Sequence, residues 1–255
     1  MDFVGKSRAL SADGLSTVID TLSVQAPEIW TVLAVETSGC GFLPDRRAPI
    51  LFERHIFSKL TSGRFDISDV GNPQAGGYGP SGANQYLRLA NAIQLNRAAA
   101  LQSASWGLAQ IMGMNFASAG FGDVETMVSA MSDSEDAQLA AFVRFLKGNR
   151  LDQYLQAHNW ASFAKGYNGS NYAVNQYDTR LAQAFQKYST GPQPDLKLRA
   201  AQLYLTFAGL NPGPVDGLMG SRTKTALQAY QQQRGLAQTG QADDATLASL
   251  VQILG

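Results

Sequence analysis

The sequence is poor in the side chains that bind metals or form disulfides. It holds one cysteine, Cys40, and two histidines, His55 and His158, among 255 residues. A single cysteine excludes an intramolecular disulfide and fits a protein made in a reducing compartment. Because the histidines are far apart and form no HExxH motif, we expect no metal site and no cofactor. Neither histidine has a clear reason to pair with Cys40, which argues against a cysteine nucleophile.

Charge and long apolar runs are also scarce. Charged residues make up 16% of the chain and the formal net charge is zero. This balance argues against nucleic acid as a partner, since phosphate binding normally leaves a basic excess. No apolar run approaches about 18 residues, so we expect no stable membrane insertion. The first residues lack a basic segment followed by an apolar core, and we therefore expect no signal peptide.

Apolar residues make up 45% of the sequence, which is enough to bury a core. Most of the chain shows helical spacing, so the predicted class is all-α, with a short hairpin at 63–70 as the one candidate for strands. Helices are predicted at 10–22 (capped by Ser11), from 27 to about 36, and at 50–60, 83–101, 104–116, 123–131, 134–147, 151–156, 159–166 and 171–188. Residues 66–82 are rich in Gly, Pro and Asn and predict a long loop.

A Pro/Gly-rich segment at 188–197 marks the clearest boundary. We place a large domain at 1–189, a linker at 190–196 and a small helical module at 197–255, with helices near 197–208, 221–234 and 243–253. The module contains a short internal repeat, in which Asp216-Gly217, Gly220 and Thr223 correspond to Thr239-Gly240, Asp243 and Thr246. A core this small is marginal, and such modules usually serve as accessory units.

A carboxylate ends the most apolar predicted helix. Glu36 follows Ile29, Val32 and Leu33 on one helical face, so the face toward the core ends in a carboxyl group. Burial without a cation raises a carboxyl pKa, and a glutamic acid that is protonated at neutral pH can serve as a general acid. For an arbitrary glutamate, a solvated or hydrogen-bonded helix end is the commoner interpretation, so the spacing alone does not decide.

Two further stretches display polar groups among glycines. In "SASWGLAQIMG", Ser105 and Gln110 flank Gly107, and in "FAKGYNGSNY", Tyr167 and Asn168 lie between two glycines. Taken alone, the first stretch is compatible with an ordinary helix start and the second with an ordinary loop.

The three stretches together, in this order, resemble goose-type lysozymes and soluble lytic transglycosylases. The segments "VETSGCGFLPDRRAPILFERHIF" and "SASWGLAQIMG" resemble the N-acetylmuramidase family of phage endolysins more closely. The C-terminal segment "NPGPVDGLMGSRTKTALQAYQQQRGLAQTGQADDATLASL" resembles the helical peptidoglycan-binding domain. The resemblance implies a lysozyme-like helical domain followed by a three-helix binding domain, in an enzyme that hydrolyses peptidoglycan.

Carried over to this sequence, the resemblance implies that Glu36 is the catalytic acid. It places Gln110 and Tyr167 in the cleft near the scissile sugar, with Ser105 and Asn168 as supporting hydrogen-bonding residues. The expected reaction is cleavage of the β-1,4 bond between N-acetylmuramic acid and N-acetylglucosamine.

Hydrolysis requires a second group opposite the acid. The candidates are Glu53, Asp66 and Asp69, although for Glu53 an ion pair with a nearby arginine is the slightly favoured role. If no second carboxylate serves, attack by the sugar's own hydroxyl makes the enzyme a lytic transglycosylase that releases an anhydro product. A non-catalytic wall-binding protein is the remaining alternative.

The partner expected from both domains is the glycan strand of peptidoglycan, to which the small module would tether a monomeric enzyme. We expect accumulation in the host cytoplasm, release by a holin, and action in the periplasm and cell wall.

Overall fold

The computed structural model describes residues 3–36, 39–66 and 69–254. The mainly α prediction is confirmed, with three short strands in the described part of the chain. The helices are α1 (Ala12–Leu22), α2 (Ala26–Glu36), α3 (Arg54–Leu60), α4 (Gln85–Leu95), α5 (Arg97–Gln102), α6 (Val124–Asp133), α7 (Glu135–Gly148), α8 (Asp152–Gln156), α9 (Trp160–Asn168), α10 (Tyr177–Thr190), α11 (Leu196–Phe207), α12 (Ser221–Gln233) and α13 (Asp244–Val251). The strands are β1 (Ile50–Phe52), β2 (Ala104–Trp106) and β3 (Ile111–Met112).

The chain divides into two compact units. The first comprises the residues up to Ser7 together with Gly41–Phe145, and the second comprises Arg8–Cys40 together with the residues from Leu146 onward.

The first unit is built around a three-stranded antiparallel sheet in the order β1-β2-β3. Leu51 faces Ser105 across the first pair, and Ser105 faces Met112 across the second. Trp106 is fully buried, and its ring lies 5.7 Å from Phe3 and 6.4 Å from Tyr86. This aromatic cluster anchors β2 in the core.

Strands replace two predicted helical stretches. The predicted helix at 104–116 is wrong: the chain forms β2, a turn, β3 and a short 3-10 helix at Gly113–Asn115. Gly107 and Gln110 have φ values of 71° and 49°, which a right-handed helix does not allow. The start of the predicted helix at 50–60 is likewise β1, and the helix begins only at Arg54.

Two further predictions differ from the structure. The helix predicted at 83–101 is split at Asn96, whose backbone is extended and whose side chain accepts a hydrogen bond from the Ala99 amide to cap α5. The hairpin predicted at 63–70 is absent from its described residues, which form turns; residues 67 and 68 lie outside the described chain.

Two buried glutamines hold loops of the first unit. Gln138 in α7 accepts a hydrogen bond from the Leu108 amide at 2.6 Å and donates to the Gly41 carbonyl at 2.9 Å. Gln85 in α4 accepts from the Phe52 amide at 3.1 Å and donates to the Tyr78 carbonyl at 2.7 Å. Each amide satisfies backbone groups that have no partner in regular structure.

The second unit contains α2, the apolar helix that ends at Glu36. The cap at Ser11 is confirmed, because its hydroxyl accepts from the Gly14 amide. In α2, Ile29, Val32 and Leu33 are all buried, and the helix packs against α10. Its apolar residues therefore belong to the core of the unit.

The short internal repeat of the small module is confirmed as a repeated hydrogen-bonding unit. A fully buried glutamine accepts from the amide of a turn glycine and donates to a threonine hydroxyl on the next helix. The pairs are Gln202 with Gln231, Gly217 with Gly240, and Thr223 with Thr246. Both glycines have φ near 70°, which favours glycine at these turns.

Within the described residues, no single helix is long and apolar enough to cross a membrane; α1 and α2 pass that test only as a pair bent by 103°.

Candidate active site

The helix that carries Glu36 is fixed at its start by a buried carboxylate. Glu28, in the first turn of α2, accepts a hydrogen bond from the Gln25 amide at 3.1 Å. Its other oxygen lies 2.6 Å from Nε2 of His158, whose ring packs against both Trp160 and Phe185. An acid at a helix N-terminus is favoured by the helix dipole. These contacts fix the direction in which α2 runs.

Glu36 is the last residue of α2. Its side chain lies outside the described part of the structure, as do residues 37 and 38. In the turn before it, the Val35 carbonyl accepts a hydrogen bond from Arg180 of α10 at 3.4 Å. A cation suits the C-terminus of a helix, so Arg180 stabilises this end of α2.

Tyr167 belongs to the same unit as Glu36. It lies in the last turn of α9, half-buried, with its ring stacked on Phe163 at 6.0 Å. The irregular turn predicted around it begins only at Gly169, where φ is 81°. Asn168 ends the helix, and its side chain is outside the described structure.

Ser105 and Gln110 come together in the first unit. The Ser105 hydroxyl donates to the Gln110 side-chain oxygen at 2.9 Å, and the Gln110 amide nitrogen donates to the carbonyls of Pro49 (3.0 Å) and Gly107 (2.9 Å). Both amide hydrogens of Gln110 are therefore used inside the protein. Its observed contacts close the β2–β3 hairpin onto the segment before β1.

Glu53 follows β1 and precedes α3, and its carboxylate is largely buried among polar groups. One carboxylate oxygen lies 3.1 Å from Nδ1 of His55, but neither atom makes a well-aligned hydrogen bond. The Tyr78 hydroxyl also donates to Glu53; burial, followed by the Glu53 charge and this hydrogen bond, raises the pKa of Tyr78 above 10.0.

The other two candidate carboxylates differ in their contacts. Asp69 makes a bidentate ion pair with the buried Arg88, with N–O distances of 2.7 and 2.9 Å. Arg88 also donates to the Tyr78 carbonyl at 2.9 Å. Asp66 is exposed on the turn after Phe65. Asp69 therefore holds the loop that carries Tyr78 to Glu53.

Tyr78 and Arg180 were not among the predicted site residues. Tyr78 stands alone in the glycine-rich loop, and an aromatic residue between glycines was the available signal. Arg180 lies on an exposed stretch of α10 without a distinguishing motif. Among the described residues, no three metal-ligating side chains form a group.

Comparison with known families shows the family to which the chain belongs. The N-acetylmuramidase family model matches residues 25–189, well over half of the sequence. The chain belongs to this family. A peptidoglycan-binding domain model matches residues 195–250.

A solved structure resembles the muramidase over most of its length. The Burkholderia AP3 phage endolysin is 41% identical, with a TM-score of 0.67, over 71% of this chain and 72% of the other. A search of curated proteins gave no match. The predicted endolysin architecture is thus confirmed, and the muramidase is a glycoside hydrolase that acts on peptidoglycan.

Proposed function

We propose that the muramidase cleaves the β-1,4 bond between N-acetylmuramic acid and N-acetylglucosamine, with Glu36 as the general acid. The observation that carries this proposal is the position of Glu36 as the last residue of a helix whose preceding turns are buried and apolar. Such a helix holds the backbone of its last residue, and proton transfer to a glycosidic oxygen requires an acid carried on a well-held element.

The second group is proposed to be Glu53. Among the three candidate carboxylates it alone is largely buried, while Asp69 pairs with Arg88 and Asp66 is exposed. Glu53 would act on the far face of the sugar as a base or nucleophile, or would position the residues around it through His55 and Tyr78. Ser105, Gln110, Tyr167 and Asn168 are proposed to shape the cleft near the scissile sugar.

The acid assignment is tested by Glu36→Gln, with Glu28→Gln as the matched control in the same helix. Removing a general acid should lower turnover by about 10²–10⁴-fold without lowering the melting temperature. Glu28→Gln neutralises the charge beside His158 but keeps an acceptor for the Gln25 amide, so it should lower stability slightly and leave turnover near that of the parent. Unchanged turnover in Glu36→Gln would refute the assignment, and equal losses in both variants would attribute the effect to α2 as a whole.

The bond and the reaction are tested by mass spectrometry of digested peptidoglycan. Hydrolysis gives fragments with muramic acid at the reducing end. A product lighter by one water would instead support the lytic transglycosylase alternative, and N-acetylglucosamine at the reducing end would contradict the proposed bond. Binding to walls with no released fragments would support a non-catalytic wall-binding protein.

We further propose that the muramidase is a monomer that accumulates in the host cytoplasm and reaches the wall when a holin opens the membrane. Expression in host cells without a holin should leave them intact until the membrane is permeabilised. Lysis without permeabilisation would contradict holin dependence, and elution as a dimer from a sizing column would contradict the monomer.

A further inference from the structure

The first helix of the peptidoglycan-binding domain is covered on every side. In α11, Leu198, Arg199 and the five consecutive residues 201–205 are buried. Five consecutive residues span more than one full turn of an α-helix, so no face of this stretch is left to solvent. A three-helix module that served only as a tether would need to bury just the face of α11 toward its own core.

Two contacts of α11 reach residues near the start of the chain, outside the binding domain. The Tyr204 hydroxyl accepts a hydrogen bond from the Ala9 amide at 3.0 Å. Arg199, only 2% exposed, donates from Nη2 to the Gly39 carbonyl at 3.0 Å. A cleft of about 350 Å³ at this junction is lined by Trp30, Leu33, Gly39, Arg199, Val215 and Asp216.

Gly39, the residue that Arg199 contacts, lies three residues after Glu36. Its φ of 98° is open to glycine and strained for other residues. The conformation of Gly39 therefore sets the direction of its carbonyl. The Arg199 guanidinium donates to this carbonyl, and a charge-assisted hydrogen bond of this kind fixes Gly39 in place.

We propose that Arg199 is a positioning residue of the muramidase, which holds Gly39, three residues after Glu36, from within the peptidoglycan-binding domain. The proposal rests on the assignment of Glu36 as the acid. The binding domain then contributes to the rate of the chemical step as well as to retention on the wall, since a misplacement of about 1 Å costs about 10²-fold in rate.

The test uses the full chain and two substrates. Arg199→Met removes the hydrogen bond, Arg199→Lys keeps a donor and a charge, and Lys197→Met is the control, because Lys197 is an exposed cation of α11 paired with the exposed Asp244. We expect Arg199→Met to lower kcat on soluble glycan fragments by about tenfold or more with little change in KM. Co-sedimentation with insoluble peptidoglycan should be unchanged, Arg199→Lys should recover most of the kcat, and Lys197→Met should match the parent.

A double-mutant cycle keeps the proposal open to refutation if Arg199→Met fails to fold. Gly39→Ala adds a methyl group with no atom within 4 Å, so it perturbs the backbone without a clash. Combined with Arg199→Gln, a neutral and shorter side chain that loses the contact but stays polar, its effect on kcat should be non-additive if both residues act through one contact. Effects that multiply independently, or a parental kcat in folded Arg199→Met, would overturn the positioning role. Parental turnover in Glu36→Gln, read in the same assay, would instead overturn the acid assignment.

Discussion

Glu36 and Glu53 lie 17 positions apart in the sequence and are held in different ways. The helix before Glu36 is fixed by buried apolar side chains, whereas Glu53 is surrounded by polar partners, the imidazole of His55 and the hydroxyl of Tyr78. Apolar packing of a helix does not depend on the charge of its last residue. A network of polar contacts does depend on the group at its centre, so neutralising Glu53 should disturb its surroundings more than neutralising Glu36 disturbs α2.

The largest expected effect compares the two glutamates directly. Glu53→Gln should lower turnover by about 10²–10⁴-fold, as Glu36→Gln does, if Glu53 is the base or nucleophile, and by only about tenfold if it acts by positioning. It should also lower the melting temperature, which Glu36→Gln should not. Kinetics on soluble fragments and thermal unfolding of both variants provide the measurement. A loss at Glu53 as large as that at Glu36, with an intact fold, would make Glu53 the second catalytic group.

The next effect concerns the hairpin beside the strand that leads to Glu53. Gln110→Leu removes three hydrogen bonds and leaves the carbonyls of Pro49 and Gly107 without this donor, which should cost about 3 kcal/mol in the free energy of unfolding. Gln94→Leu, on the exposed face of α4, is the control and should cost almost nothing. Urea unfolding measures both, and equal stabilities would remove the structural role assigned to Gln110.

A smaller effect is expected from the ion pair that holds the Tyr78 loop. Asp69→Asn breaks the bidentate contact to Arg88, but the Asp69 side chain is 65% exposed, so solvent screens the pair and the cost should be about 1 kcal/mol. The loop should become more sensitive to limited proteolysis while cleavage elsewhere is unchanged. Asp66→Asn is the matched control, and an identical proteolysis pattern in both variants would contradict the role given to Asp69.

The smallest effect should appear in alkaline solution. Burial and Glu53 raise the pKa of Tyr78, so the folded protein holds the phenol proton more tightly than the unfolded chain does. The resulting stability is fully present below pH 10.0, the ordinary pKa, and is lost as the pH rises through the raised value. Tyr78→Phe should be about 1 kcal/mol less stable near neutral pH because it lacks the hydrogen bond.

That difference between parent and Tyr78→Phe should shrink above the ordinary tyrosine pKa. Urea unfolding at neutral pH and in alkaline buffer gives the measurement. A difference that stays constant with pH would show that the Tyr78 hydroxyl does not titrate in contact with Glu53.

Sequence patterns correctly predicted the features that depend on contacts between neighbouring residues. The cap at Ser11, the helix through Ile29 and Val32, and the repeated unit of the small module all follow from residues near one another in the sequence. The β2–β3 hairpin was missed because its turn depends on positive φ at Gly107 and Gln110, which apolar spacing does not reveal.

Contacts between residues that are far apart in the sequence could also not be predicted from it. Tyr78 reaches Glu53 only because Gln85 and Arg88 hold its carbonyl. Arg199 meets Gly39 across 160 positions, and no periodicity indicates that pairing. The roles predicted for Ser105, Gln110, Tyr167 and Asn168 in binding substrate stay predictions.

Neutral amides hold many of the turns described above. Gln85 and Gln138 in one unit, and Gln202 and Gln231 in the other, are almost fully buried and bond to loop backbone. A carboxamide neither titrates in the range where proteins fold nor changes with redox conditions, unlike the ion pairs and disulfides that hold loops elsewhere. These turns therefore need neither an oxidation step nor a particular proton concentration to take their shape. We expect them to keep one geometry in acidic and alkaline buffer, and with or without a reducing agent.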